Sequence, residues 1–177
     1  MKIAILNDTH CGIRNSSEIF LDNAEDFYTN IFFPECDKRN VKQIVHLGDY
    51  YDHRKFVNFK ALNQNRRVFL DQLRKRNMMM DIIPGNHDTY FKNTNELNSL
   101  KECLGHYMNE IHIIMEPTVM QYGSLSMALL PWICADNYQQ SMNFIQDCKA
   151  DWLGAHLELN GFEFALGIKS THGMDPK

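Results

Sequence analysis

Gln43-Ile44-Val45-His46-Leu47-Gly48-Asp49-Tyr50-Tyr51-Asp52 is a short apolar run that breaks at a glycine and opens into carboxylates. Such a run is too brief for a buried helix. It reads as a strand, residues 43–47, that delivers a polar loop. The same grammar recurs on both sides. Residues 2–6 form an apolar run that ends in Asp8-Thr9-His10, and residues 79–83 form another that ends, past Pro84, in Gly85-Asn86-His87-Asp88. Between these strands lie amphipathic stretches. Phe20, Ala24, Phe27 and Ile31 recur at helical spacing, which predicts a helix over 17–39 with Ser16 or Ser17 as its cap. Phe59, Leu62, Phe69 and Leu73 predict a second over 58–77, and a third is expected over 95–107.

After residue 110 the texture changes. Strands are expected at 111–115, 118–122 and 125–130, with Gly123-Ser124 as a turn, then a helix over 139–148 and a strand over 152–156. Strand–helix alternation followed by a meander predicts a layered α/β fold with a mixed β-sheet flanked by helices, in a single domain over 1–177.

Composition narrows the function classes. The chain has 177 residues, 44% apolar and 23% charged, so wholesale disorder is excluded. The longest uncharged stretch, 117–135, contains Pro117, Gly123 and Pro131 and will not span a bilayer. The N-terminus has neither the apolar length nor the cleavage site of a secretory signal. Five scattered cysteines without a C-x-x-C pair argue against a disulfide framework or a cysteine–zinc site, and for a reducing cytosol. A net charge of -4 excludes a uniformly basic coat but not a local patch. Arg66, Arg67, Arg74, Lys75 and Arg76 read as a solvated helix face, whereas Arg54 and Lys55 adjoin a polar loop and suit phosphate contact.

In a parallel sheet the three polar loops share the C-terminal edge, where ligands collect. Asp8 and His10 are two apart, so in extended chain they point the same way. Gly154-Ala155-His156 ends a further strand. The pooled donors are carboxylates, an amide oxygen and imidazoles without thiolate, a set that suits Mn²⁺, Fe²⁺ or Zn²⁺. One carboxylate able to bridge, with nitrogen and oxygen donors on either side, implies two ions roughly 3.5–4 Å apart. Each motif alone is more often turn chemistry than catalysis, but their joint appearance, each after an expected strand, reverses that weighting.

Asp8-x-His10, Gly48-Asp49-x-x-Asp52, Gly85-Asn86-His87-Asp88 and Gly154-Ala155-His156 together resemble the successive motifs of the calcineurin-like metallophosphoesterases. Residues 48–55, Leu130-Pro131-Trp132-Ile133-Cys134 and Leu157-Glu158-Leu159-Asn160-Gly161-Phe162 resemble the SbcD-type DNA repair nucleases, in particular the recombination endonuclease subunits of T-even-type phages. The resemblance implies metal-dependent phosphodiester hydrolysis in DNA with two divalent ions, Mn²⁺. Asp8 and His10 would bind the first ion, Asp49 would bridge, and Asn86 and His156 would bind the second. His87 would act at the scissile phosphate as general acid or charge stabiliser, and Asp88 would orient it. Asp52 would hold its loop, and His53, Arg54 and Lys55 would approach substrate.

The resemblance further implies DNA as substrate, an SbcC-type coiled-coil ATPase as partner, a homodimer, no membrane, and the cytoplasm of a phage's host. It also implies a closing G-H-x-H motif, further sheet and a cap domain; this sequence ends at Lys177 without them, so the N-terminal portion of a truncated nuclease domain is expected. Two alternatives stand beside it: a general phosphoesterase for small substrates, and a catalytically incompetent assembly module. The remaining candidates carry structural expectations. His46, His106 and His112 read as structural, His172 as a surface-loop histidine rather than a substitute ligand, Cys11 as a small core residue, and Met78-Met79-Met80 as strand packing.

Overall fold

Four short strands pair in parallel: β1 (Ile3–Leu6), β2 (Gln43–His46), β3 (Met79–Ile82) and β4 (Ile111–Ile113), in that order across the sheet. A computed structural model describes residues 1–171 and 173–175. Leu6 lies opposite His46, and His46 opposite Ile82, so the first three strands run out level. Their following loops therefore emerge side by side. The central strands β2 and β3 are largely buried on both faces, as strands of parallel sheets are, while Ile5 on the edge strand β1 is exposed. Ile44, Met80 and Ile82 face the helices, while Val45 and Ile83 join Ile114, Tyr122, Met127 and Leu129 on the other side.

Two long helical segments cover the first face. α1 (18–39) consists of Glu18–Asp26, a π-helical stretch Phe27–Phe32, and Phe33–Arg39. α2 (59–76) has the same plan: Phe59–Asn65, a π-helical Arg66–Leu70, and Asp71–Arg76. Phe69 is fully buried where they meet the sheet, its ring centroid 4.8 Å from Tyr28, 5.8 Å from Phe33 and 6.1 Å from Tyr50.

The buried face of α1 differs from the expected one. Leu21, Tyr28, Phe32, Phe33 and Cys36 are buried, whereas Phe20, Phe27 and Ile31 are 42%, 38% and 52% exposed. Apolar residues come as neighbours in this sequence (20/21, 27/28, 31/32), so two adjacent faces compete. The wider π-helical turn allows the second face to be the one that packs. Ser17 stands at the N-cap position without a side-chain hydrogen bond; its carbonyl accepts from Phe20 and Leu21. On α2, Phe69 and Leu73 are buried as expected but Phe59 is 86% exposed, and Asn58 caps by accepting from the Lys60 N–H.

α3 (Ser99–Leu104) begins four residues later than expected and runs into a 3₁₀ turn, Gly105–Tyr107. Asn98 sits in extended backbone and accepts from Lys101 N at 3.0 Å, which sets the start. The meander builds a second sheet: β5 (Thr118–Tyr122) antiparallel to β6 (Leu125–Leu130), and β6 parallel to β7 (Trp152–Ala155) after a crossover through α4 (Tyr138–Asp147). The expected mixed character thus resides in this three-stranded sheet, while the first is wholly parallel. A small hairpin, β8 (Glu163–Ala165) and β9 (Ile168–Lys169), follows. The architecture is α/β, with a parallel and a mixed sheet flanked by helices.

Candidate metal centre

The loops after β1 and β2 are locked together by their backbones. Asp8 N donates to Gly48 O, His10 N to Asp49 O, and Cys11 N to Tyr50 O, at 3.1, 3.0 and 2.7 Å. Asp8, His10 and Asp49 all take left-handed backbone conformations, with φ of 50°, 43° and 52°. Each such conformation costs a non-glycine residue about 1–3 kcal/mol, and clusters of them mark sites where side-chain aim outweighs backbone ease. The expectation that Asp8 and His10 point together from extended chain is corrected here: the chain turns at both.

Two glycines bring the β3 loop in. A Cβ on Gly48 would lie 2.8 Å from Gly85 Cα and 2.9 Å from His156 Nδ1. One on Gly85 would overlap Asp49 itself. Asp88 then fastens the junction from below. Fully buried, it accepts from Gly85 N at 2.9 Å and Tyr50 N at 3.2 Å through Oδ2, and from Tyr51 N at 3.0 Å through Oδ1. Burial pushes its carboxyl up to about 6, partly offset by these N–H donors.

Asp49 is nearly buried at the centre. Its Oδ1 accepts from His87 N at 2.8 Å. Its Oδ2 faces two imidazoles, 3.6 Å from His10 Nε2 and 3.5 Å from His156 Nε2. His156 Nδ1 donates to Leu47 O at 3.0 Å, which leaves Nε2 as the lone-pair nitrogen of the neutral ring. That nitrogen meets Asn86 Oδ1 at 2.9 Å. Two lone pairs at that separation, beside a carboxylate oxygen, need a proton or a cation between them. The donor set therefore fits a cation by its own chemistry.

His10 Nε2 is 3.6 Å from Asp8 Oδ1, and its buried Nδ1 lies 3.3 Å from Asp52 Oδ1 without forming a hydrogen bond. Among the described residues, donor atoms of His10, Asp49 and His87 lie within 4.8 Å of one another, and so do those of Asp8, Asp49 and His156. Asp49 is common to both groups. The electrostatics agree. The close approach of Asp8 raises the His10 pKa, and the same contact lowers that of Asp8. Burial works against ionisation of Asp49 and His156, yet their mutual contact prevails, lowering the carboxyl and raising the imidazole.

Asp8, His10, Asp49, Asn86, His87 and His156 are thus brought together. His87 is held differently from expectation: its Nδ1 donates to the Asp52 backbone carbonyl at 2.6 Å, while Asp88 bonds the backbone of two loops. Asp88 positions the loops, and the carbonyl of Asp52 orients the ring. His53, Arg54 and Lys55 line a hollow of about 360 Å³ together with His87. Arg54 donates to Thr89 O and Oγ1 at 3.3 Å, so it also ties the loops.

His46 is fully buried. It accepts from Gly48 N through Nδ1 and donates through Nε2 to Thr9 Oγ1 at 3.0 Å; burial depresses its pKa to about 3, so it is neutral. Burial pushes the Cys11 thiol up to about 12, and its Sγ lies 3.8 Å from Ala61 O, against the helices; all five cysteines are free. His112 pairs with Asp81 at 3.0 Å, away from the centre. His172 lies outside the described residues. The carbonyls of Leu47 and Asp52, and Trp132, whose ring packs edge-on to His156 at 6.1 Å, are the participants that sequence reasoning missed. Trp132 left a trace as part of the Pro131-Trp132 segment, and Asp52 only as a side chain expected to hold its loop.

Comparison with known proteins gives the family. Exonuclease subunit 1 of Enterobacteria phage T4 is 30% identical over 177 residues, which is 99% of this chain and 51% of the relative. The chain therefore spans about half the length of that curated relative. A crystal structure of the Pseudomonas putida nuclease MPE matches 72% of this chain and 52% of its own, with 19% identity and a TM-score of 0.47. The family model described as calcineurin-like phosphoesterase matches residues 1–166, the span that carries every donor described above, and the chain belongs to that family.

Proposed function

We propose that this chain is the phosphodiesterase portion of a DNA nuclease that works with two Mn²⁺ ions. The observation that carries the reading is the shared position of Asp49 Oδ2, which faces His10 on one side and His156 on the other. Asp8, His10, Asn86 and His156 are the ligands assigned on either side of Asp49. Divalent cations held there would lower the pKa of a water nucleophile and neutralise charge on the phosphate. The chain's own residues set the rest. Asp49 is aimed by the His87 N–H, and His156 by the Leu47 carbonyl. With Nδ1 tied to Asp52 O, the Nε2 of His87 is the atom left to protonate or stabilise the leaving oxygen. Asp88 and Asp52 keep that geometry. Arg54 and Lys55 supply phosphate contacts of the salt-dependent, sequence-independent kind.

DNA as substrate is supported by the phage relative, an exonuclease subunit. That description also supports assembly with another subunit, which we take to be a coiled-coil ATPase; a homodimer of this chain is part of the same proposal. Among the described residues no helix is long and apolar enough to cross a membrane, and the host cytoplasm is the setting we assign. Calorimetric titration with Mn²⁺ tests the centre: two ions per chain are expected, and Asp49→Ala should lose both. Absence of uptake by the parent protein refutes the reading. His87→Asn should abolish cleavage of linear DNA while Mn²⁺ stoichiometry stays at two. Loss of an ion instead would make His87 a ligand beside His10 and remove its proposed role.

A further inference from the structure

The turn at 53–56 has a hollow on each side. One, of about 360 Å³, opens onto the metal centre through Asp52 and His87. The other, of about 270 Å³, is lined largely by apolar groups, including Phe56, Val57, Phe59, Leu62 and Tyr90. Arg54 and Lys55 border both. The aromatic carbon of the second hollow is left open to water: Phe56 is 59% exposed, and Phe59 and Tyr90 are exposed as well. His53 stacks on Phe56 with centroids 4.3 Å apart, Phe91 meets Tyr90 edge-on at 4.8 Å, and the Lys55 ammonium lies 5.6 Å from the Tyr90 ring centre. These contacts brace the rings without covering them.

We propose that the apolar hollow receives an unpaired nucleobase of the DNA strand whose phosphate lies at the metal centre. The inference rests on the phosphodiesterase reading above and names the part of the substrate that reading leaves unplaced. Three features choose this occupant. The hollow shares one wall, the four-residue turn His53, Arg54, Lys55 and Phe56, with the cavity that holds His87. Two cations stand at the boundary, where a backbone leading from one hollow to the other must carry its phosphate. The walls are aromatic, and every base offers a π face to such walls whatever its identity. Glu102, the acidic group of this lining, suits an exocyclic amine and would repel a phosphate, so the base and not the backbone occupies this side. The volume, about 270 Å³, lies just below the range of drug-sized ligand pockets and is ample for one base.

The test is binding without metal, by fluorescence anisotropy in a chelating buffer. The probes are a labelled single-stranded oligothymidylate and an abasic strand of equal length. Stacking of one base predicts about tenfold tighter binding of the base-bearing strand. Phe56→Leu and Phe59→Leu, which keep apolar volume but remove the π face, should each erase most of that difference while leaving abasic binding unchanged. Ile31→Ala, an exposed apolar truncation on α1, should leave the difference intact. Circular dichroism of each variant confirms its fold. Equal affinity of the parent protein for the two strands, no binding of either, or equal loss on both in the variants overturns the proposal. Failure of Mn²⁺ to be bound, with the base-dependent difference intact, would instead sink the phosphodiesterase reading alone.

Discussion

Gly85→Ala is the perturbation with the most legible consequence. The added Cβ would overlap Asp49 Oδ1 and backbone N and lie 2.9 Å from Asp49 Cγ. Carbon atoms pack at about 3.5–4.0 Å, so the Asp49 loop must retreat by roughly 1 Å. Its freedom is small, because the neighbouring residue, Gly48, is itself pressed against Gly85. Retreat breaks the His87 N–H bond to Asp49 Oδ1. Overpacking costs about 1–3 kcal/mol and a hydrogen bond to a buried carboxylate about 1.5–3, which together give roughly 3–5 kcal/mol. At about 2–4 °C per kcal/mol for a chain of this size, the melting temperature should fall by roughly 10 °C. Mn²⁺ affinity should collapse, since the displaced group is the shared one. Gly105→Ala is the internal control: that glycine has helical φ and nothing within 4 Å of the new methyl group, so a gain of about 0.4–1 kcal/mol is expected. Differential scanning calorimetry with and without Mn²⁺ reads both. If Gly85→Ala melts within about 2 °C of the parent and binds the ions normally, the loops do not meet as described.

Other perturbations test the supports. Asp88→Asn turns an amide toward backbone N–H groups on one side of a fully buried carboxylate, so it should cost roughly 3 kcal/mol in urea unfolding while leaving the long helices intact by circular dichroism. Phe69→Ala empties the meeting point of Tyr28, Phe33 and Tyr50 and should cost about 3–5 kcal/mol, with no effect on Mn²⁺ stoichiometry once folded. His46 supplies a pH dependence. Its folded pKa, about 3, lies below the ordinary 6.5, so below that value the unfolded chain takes up the proton first and stability is lost as pH falls. The loss amounts to about 2 kcal/mol at about pH 5. His46→Gln, compared with the parent by urea midpoints near pH 5 and pH 7, should lack that increment. An identical pH dependence in the two proteins would show that His46 is not the titrating group.

The strands and the polar loops were legible because each signal is local. A brief apolar run, a glycine and an acid fall within ten residues, and a parallel sheet then has no freedom in where the loops emerge. The face of α1 was not legible for an equally physical reason. With Phe20 beside Leu21 and Phe27 beside Tyr28, a period of 3.6 fits two faces, and only the position of the π-helical turn and the ring of Phe69 decide between them. The expected start of α3 lies four residues early because Asn95 and Asn98 are both able caps in sequence. In the fold Asn95 is committed elsewhere, donating to Trp132 O at 2.7 Å.

The centre shows where side-chain reading stops. The identities of Asp8, His10, Asp49, Asn86, His87 and His156 announce the donors, but the aim of the two critical rings is set by main-chain carbonyls, of Leu47 for His156 and of Asp52 for His87. A carbonyl is present at every position, so nothing in the sequence distinguishes these two. What selects them is the path of the backbone, which reverses hand at Asp8, His10 and Asp49. It follows that Leu47 and Asp52 act here through atoms that substitution leaves in place. Asp52→Asn would keep the carbonyl that orients His87 and alter the carboxylate that faces His10 and His53, which separates the duties of main chain and side chain in one variant. Retained His87-dependent cleavage with weakened metal uptake is the expected result, and the reverse pattern would show that the carboxylate, not the carbonyl, governs the ring.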